Sequence, residues 1–109
     1  MSTETRRITF TNEELIQAVS KHRRDEKQPL AESRIRGVKV EDDQELRISI
    51  LLADHIGDAM QAIEFRATEV AAALIKYCRL KRIPLPRRAS KALGVDRGLV
   101  SLVLQLEDL

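Results

Sequence analysis

One cysteine, no tryptophan, three aromatic side chains and four glycines set the first limits on this chain. A single cysteine excludes an internal disulfide framework and any cysteine-rich zinc site. Four scattered glycines (Gly37, Gly57, Gly94 and Gly98) leave no glycine-rich loop to cradle a phosphate. Only Phe10, Phe65 and Tyr77 are aromatic, too few to build a platform on which unpaired bases stack. No apolar run approaches the roughly 20 residues a membrane-spanning helix needs. The opening stretch Met1-Ser2-Thr3-Glu4-Thr5-Arg6-Arg7 has no apolar core of the signal-peptide kind, so a cytoplasmic location is expected.

Catalytic and metal-binding constellations are also missing. His22 and His55 stand 33 residues apart with no flanking ligand pattern. Cys78 falls on an apolar helical stripe, where a small buried thiol is the ordinary explanation. The acidic run Glu41-Asp42-Asp43-Gln44-Glu45 lacks the spacing of a calcium loop and reads as a solvated turn. No catalytic residues, no metal ligands, no cofactor, no small-molecule substrate and no enzymatic activity are therefore expected.

What the chain does have is an internal duplication. Sliding the sequence by 55 lays segment 8–40 on 63–95 with nine of 33 positions identical, among them Phe10/Phe65, Glu14/Glu69, Arg24/Arg79 and the pair Pro29-Leu30/Pro84-Leu85. Chance alone gives about two. Beyond Val95 the second copy drops three residues, and Ile48-Ser49-Ile50-Leu51-Leu52 then matches Val100-Ser101-Leu102-Val103-Leu104. With 109 residues in all, the expectation is a single domain made of two copies, about 7–53 and 62–106.

Each copy reads as strand, helix, strand, strand. Arg7-Ile8-Thr9-Phe10 and Ala62-Ile63-Glu64-Phe65 are rich in β-formers. Thr11 and Glu14 have capping-box spacing, whereas the second copy has Arg66 in place of that threonine and must use Thr68 or no cap. Leu15, Ala18, Val19 and His22 form one apolar helical stripe, and Val70, Ala73, Leu74, Tyr77 and Cys78 the other. Pro29 and Pro84 then end the helices. Strands are expected over 36–40 and 46–53 in the first copy and over 93–95 and 99–106 in the second. A turn at Gly57-Asp58 joins the copies. The fold class is α+β: two tandem βαββ units, about six strands, with two helices packed on one face.

Residues 89–103 also resemble a helix-turn-helix in spacing. The would-be recognition helix, however, carries Leu99, Val100, Leu102, Val103, Leu104 and Leu106, too apolar for a wet groove. Val100, Leu102, Leu104 and Leu106 alternate with Ser101 and Gln105, which is the period of a strand.

Charge is the second informative feature. Between Val70 and Val95 lie seven cations (Lys76, Arg79, Lys81, Arg82, Arg87, Arg88 and Lys91) and no acid. The net charge is only +2, so a basic stretch sits beside an acidic remainder. In the first copy the corresponding cations are diluted by Asp25, Glu26 and Glu32. The seven form a candidate site for nucleic acid or another polyanion, an acidic protein included. With so few aromatics, nucleic-acid contact would be directed at the backbone and weakly selective. Solvated charge complementing a helix end is the plainer explanation of the same run. A second candidate surface is the helix face carrying Ala71, Ala72 and Ile75. There Ala72 and Ile75 replace Gln17 and Ser20 of the first copy, as a partner or homodimer interface would require.

Overall fold

The computed structural model describes residues 2–54 and 59–107. The chain runs β1 (Thr3–Thr9), α1 (Asn12–Asp25), a short 3-10 turn (Glu32–Arg34), β2 (Ile35–Asp42) and β3 (Leu46–Ala53). It continues with β4 (Met60–Arg66), α2 (Ala67–Leu80), β5 (Ser90–Asp96) and β6 (Leu99–Glu107). This is an α+β fold of six strands and two helices. His55 and the expected turn at Gly57-Asp58 lie outside the described residues.

The strands form two antiparallel sheets of three, ordered β1-β6-β5 and β2-β3-β4. Each sheet takes a hairpin from one copy and the opening strand of the other. Ile8 pairs with Leu102 across β1 and β6, and Ile63 with Ile50 across β4 and β3. Leu93 pairs with Leu102, and Val38 with Ile50. From Gly37 and Ala92 onward the registers of the two sheets therefore match, β2 having a bulge between Ile35 and Gly37 that β5 lacks, and the copies are exchanged through their first strands.

Residues 90–107 form a hairpin and not a helix-turn-helix. Arg97 and Gly98 both take positive φ, 53° and 79°, as a two-residue turn of the hairpin type demands. Val100, Leu102 and Leu104 enter the core at 2% exposure or less, while Gln105 is exposed. Ser101 is buried on the opposite face, where the Arg7 guanidinium donates to its Oγ. That guanidinium also lies where a side chain on Gly94 would stand: an added Cβ would come within 3.3 Å of Arg7 and of Ser101. Glycine leaves the gap that arginine fills.

Both expected helical stripes are buried. They pack on Ile48, Ile50 and Leu52 of β3 and on Val100, Leu102 and Leu104 of β6. Thr11 and Glu14 form a complete capping box. At the start of α2, Arg66 occupies the cap position without a side-chain bond. Phe10 meets Tyr77 edge-on at 6.1 Å, and Arg23 lies 4.4 Å over the Phe65 ring. Cys78 is fully buried, and burial pushes its thiol above the usual range. Among the described residues two buried side-chain atoms, Ser20 Oγ and Arg23 Nε on α1, have no hydrogen-bond partner.

The molecule measures 58 × 28 × 18 Å with a radius of gyration of 15.2 Å, against about 13 Å for a compact chain of this length. The excess goes with edge strands that stay largely open to solvent. All but one residue of β1, and five of seven in β4, are exposed.

Candidate nucleic-acid interface

The basic stretch occupies the end of α2, the loop behind it and the start of β5. Both helices end in the same way. Gln28 N–H donates to the Arg23 carbonyl at 2.9 Å and Ile83 N–H to the Cys78 carbonyl at 2.8 Å. Lys27 N–H reaches the Arg24 carbonyl, and Arg82 N–H the Arg79 carbonyl, at 3.0 and 3.2 Å. All four bonds are one motif repeated at the offset of 55, the paired closure that satisfies a helix's last carbonyls. It requires a left-handed residue, for which glycine is the usual choice. Here Lys27 (φ 59°) and Arg82 (φ 58°) take the position, each holding a long cation against a steric cost of about 1–2 kcal/mol.

Beyond the cap the copies continue in parallel. Leu30 and Leu85 both pack against the core and anchor the loop. Arg34 N–H then donates to the Ala31 carbonyl at 2.9 Å, and Ala89 N–H to the Pro86 carbonyl at 3.2 Å. In the second copy Pro84 and Pro86 stiffen the segment, so ordering it on binding has little further entropic cost.

The backbones agree, and the charges do not. In the first copy Lys21, Arg23 and Arg24 have carboxylate partners. Arg24 reaches both oxygens of Glu32 at 2.7 Å, and Lys21 both oxygens of Asp25 at 3.1 Å. The Lys21 ammonium holds the Asp25 carboxyl below its ordinary range, with Lys76 and Arg24 adding to the effect. In the second copy Asp25, Glu26 and Glu32 are replaced by Leu80, Lys81 and Arg87. Arg79, Arg82, Arg87 and Arg88 are exposed, and their side chains find no ionic partner among the described residues. Leu80 stands 57% exposed in their midst.

The seven cations are not equivalent. Lys76 is drawn into the contact between the helices, 3.2 Å from His22 Nδ1 and 4.0 Å from Glu26. Lys81 lies 5.7 Å over the Tyr77 ring, a contact that holds its stem and leaves its charge outward. Lys91 donates to the Ala89 carbonyl at 3.2 Å. Arg88 borders an open cleft of about 760 Å³ at the end of sheet β1-β6-β5, shared with Glu4 and Glu107. The least encumbered group is Arg79, Arg82 and Arg87. Sequence reasoning found all three but had no signal for the partners that occupy Lys76, which come from the other helix.

The three interface candidates also separate. Ala71 and Ile75 line a groove of about 450 Å³ between α2, the β2–β3 hairpin and β5, together with Leu46, Ala92 and Leu93. Asp42 and Lys91 stand at its rim. Ala72 is half-buried and is not part of that lining. Among the described residues no group of three His, Cys, Asp or Glu side chains is placed to hold a metal ion, and no helix is long and apolar enough to cross a membrane. Comparison of the chain with protein-family models, curated proteins and solved structures finds no match.

Proposed function

We propose that this is a non-enzymatic binding protein whose basic helix end and loop contact the phosphate backbone of nucleic acid. The supporting observation is the loss of the neutralising carboxylates from one copy only. Arg79, Arg82, Arg87 and Arg88 are exposed and have no ionic partner among the described residues, whereas Lys21 and Arg24 of the first copy carry their own counter-ions. Such a surface gains by releasing condensed counter-ions from a polyanion, with log K falling by about 0.9 per log unit of salt for each phosphate neutralised. All three aromatics are buried, so contact goes to phosphates rather than to stacked bases and carries little sequence preference.

Titration of the labelled full chain with short DNA and RNA duplexes at two salt concentrations tests this reading by NMR. Salt-sensitive shifts concentrated in 76–91 are expected. Absence of shifts even at low salt overturns it, and the basic end then serves as a solvated face or a docking site for an acidic protein.

A second reading is a homodimeric adaptor, and the groove floored by Ala71, Ile75 and Leu93 favours it. Apolar grooves of this kind exclude water well once covered. A monomer in sedimentation at micromolar concentration removes that reading. For a dimer, Ala71→Glu is expected to dissociate it and to leave electrostatic binding in place.

A further inference from the structure

The repeat gives an internal template for what stands beside Arg79. Arg24 and Glu32 are joined by a two-oxygen ion pair at 2.7 Å. Arg79 and Arg87 occupy the corresponding positions, each 55 residues on. The intervening backbone makes the same hydrogen bonds in both copies: the paired helix-end bonds and the bond that closes the turn presenting residue 32 or 87, with Leu30 buried and Leu85 half-buried between them. Two places that one copy fills with a cation and an anion in contact are thus filled in the other by two guanidiniums. Two guanidiniums carried at these positions of a proline-stiffened loop repel each other and favour a counter-anion between them.

We infer that Arg79 and Arg87 together hold one phosphate group of a nucleic-acid backbone, the phosphate taking the role that the Glu32 carboxylate has beside Arg24. This rests on the polyanion reading above and makes it local. A phosphodiester suits the pair better than a carboxylate does. Glu32 spends both oxygens on Arg24 alone, whereas two guanidinium forks approaching from two sides need the tetrahedral spread of a phosphate's oxygens. Arg82, fixed at the helix end by its left-handed backbone, is placed to meet an adjacent phosphate.

The template also supplies the test. In Arg87→Glu the new carboxylate stands to Arg79 as Glu32 stands to Arg24, so it fills the site internally and keeps the fold. The full-length variant should melt no lower than the parent and lose about thirtyfold or more in affinity for a short DNA duplex at low salt, with the salt slope falling by about 1–2. Lys81→Glu makes the same charge change beside the pair, and should lose only about threefold through the general field. Arg87→Gln, which removes the fork without adding a charge, should lose about tenfold.

Equal losses in Arg87→Glu and Lys81→Glu overturn the paired site and leave the diffuse polyanion reading standing. No duplex binding by the parent protein overturns both. Two competitors separate the sources of the anion. Displacement of the duplex by polyglutamate at equal charge concentration overturns the phosphate assignment in favour of an acidic protein. Tighter binding of inorganic phosphate than of the duplex overturns the backbone assignment in favour of a free phosphate ligand.

Discussion

Replacing Phe65 with alanine is expected to bring the chain to the edge of unfolding at room temperature. The ring is fully buried on β4, and truncations of this size in a packed interior cost about 3–5 kcal/mol. It also carries the Arg23 guanidinium at 4.4 Å, a contact worth about 1–2 kcal/mol when partly desolvated. Arg23 has little else to compensate the loss: its nearest carboxylate oxygen, on Glu69, is 3.6 Å away, and its Nε has no hydrogen bond. Against a total stability of about 5–15 kcal/mol for a small domain, the variant has little margin. Urea denaturation followed by circular dichroism measures it, and a loss below about 1.5 kcal/mol would contradict the packing described here.

The second expected result concerns Leu102 and Ile50, which hold equivalent positions at the centres of the two sheets. Both are fully buried, and each is flanked by matching partners: Ile8 and Leu93 about Leu102, Ile63 and Val38 about Ile50. Leu102→Ala and Ile50→Ala should each cost about 2–5 kcal/mol. Because each sheet takes its first strand from the other copy, either variant should shift one common transition rather than separate two. Amide exchange in β3 should therefore accelerate in Leu102→Ala as much as in β6. A β3 unaffected by Leu102→Ala would mean that the copies are independent units.

Much of this arrangement was legible in the chain because its signals are local. The alternation of Val100, Leu102 and Leu104 with Ser101 and Gln105 assigns β6 and excludes a recognition helix. The Thr11/Glu14 spacing places the start of α1, and Pro29 and Pro84 mark where the helices must already have ended. Periodicity, however, says which face a residue shows and not which strand lies beside it. The exchange of β1 and β4 between the copies rests on pairs such as Ile8 with Leu102, which no local pattern encodes. The strands also run further than expected at their solvent ends. Thr3, Glu4, Thr5 and Arg6 are polar and exposed, and they are held by the β6 ladder rather than by their own propensity.

The candidate site divides along the same line. The seven cations are plain in the sequence, and the offset of 55 already sets Arg87 against Glu32. Which charges are spoken for depends on contacts between elements. Lys76 stood among the seven, but the approach of α1 gives it His22 and Glu26. Ala72 stood beside Ala71 and Ile75, but the groove takes only the other two. The difference of charge between the repeats sits on turns closed by the same backbone hydrogen bonds, which the sequence does not display.

The exchange of first strands also sets an order of assembly. Sheet β2-β3-β4 is drawn from one continuous stretch, Ile35 to Arg66, and its neighbours are joined in sequence. Sheet β1-β6-β5 instead joins Thr3 to Glu107, closing a loop of almost the whole chain. Closing so long a loop is entropically costly and slow unless something already holds its ends near. On a chain emerging from the ribosome, β1 waits without its partner until β6 has been made. Its edge is then open longest to pairing with the β6 of a neighbouring molecule, with the charges of Glu4, Arg6 and Arg7 as its protection. The same contacts that knit the two halves into one molecule are therefore those by which two nascent molecules would become entangled.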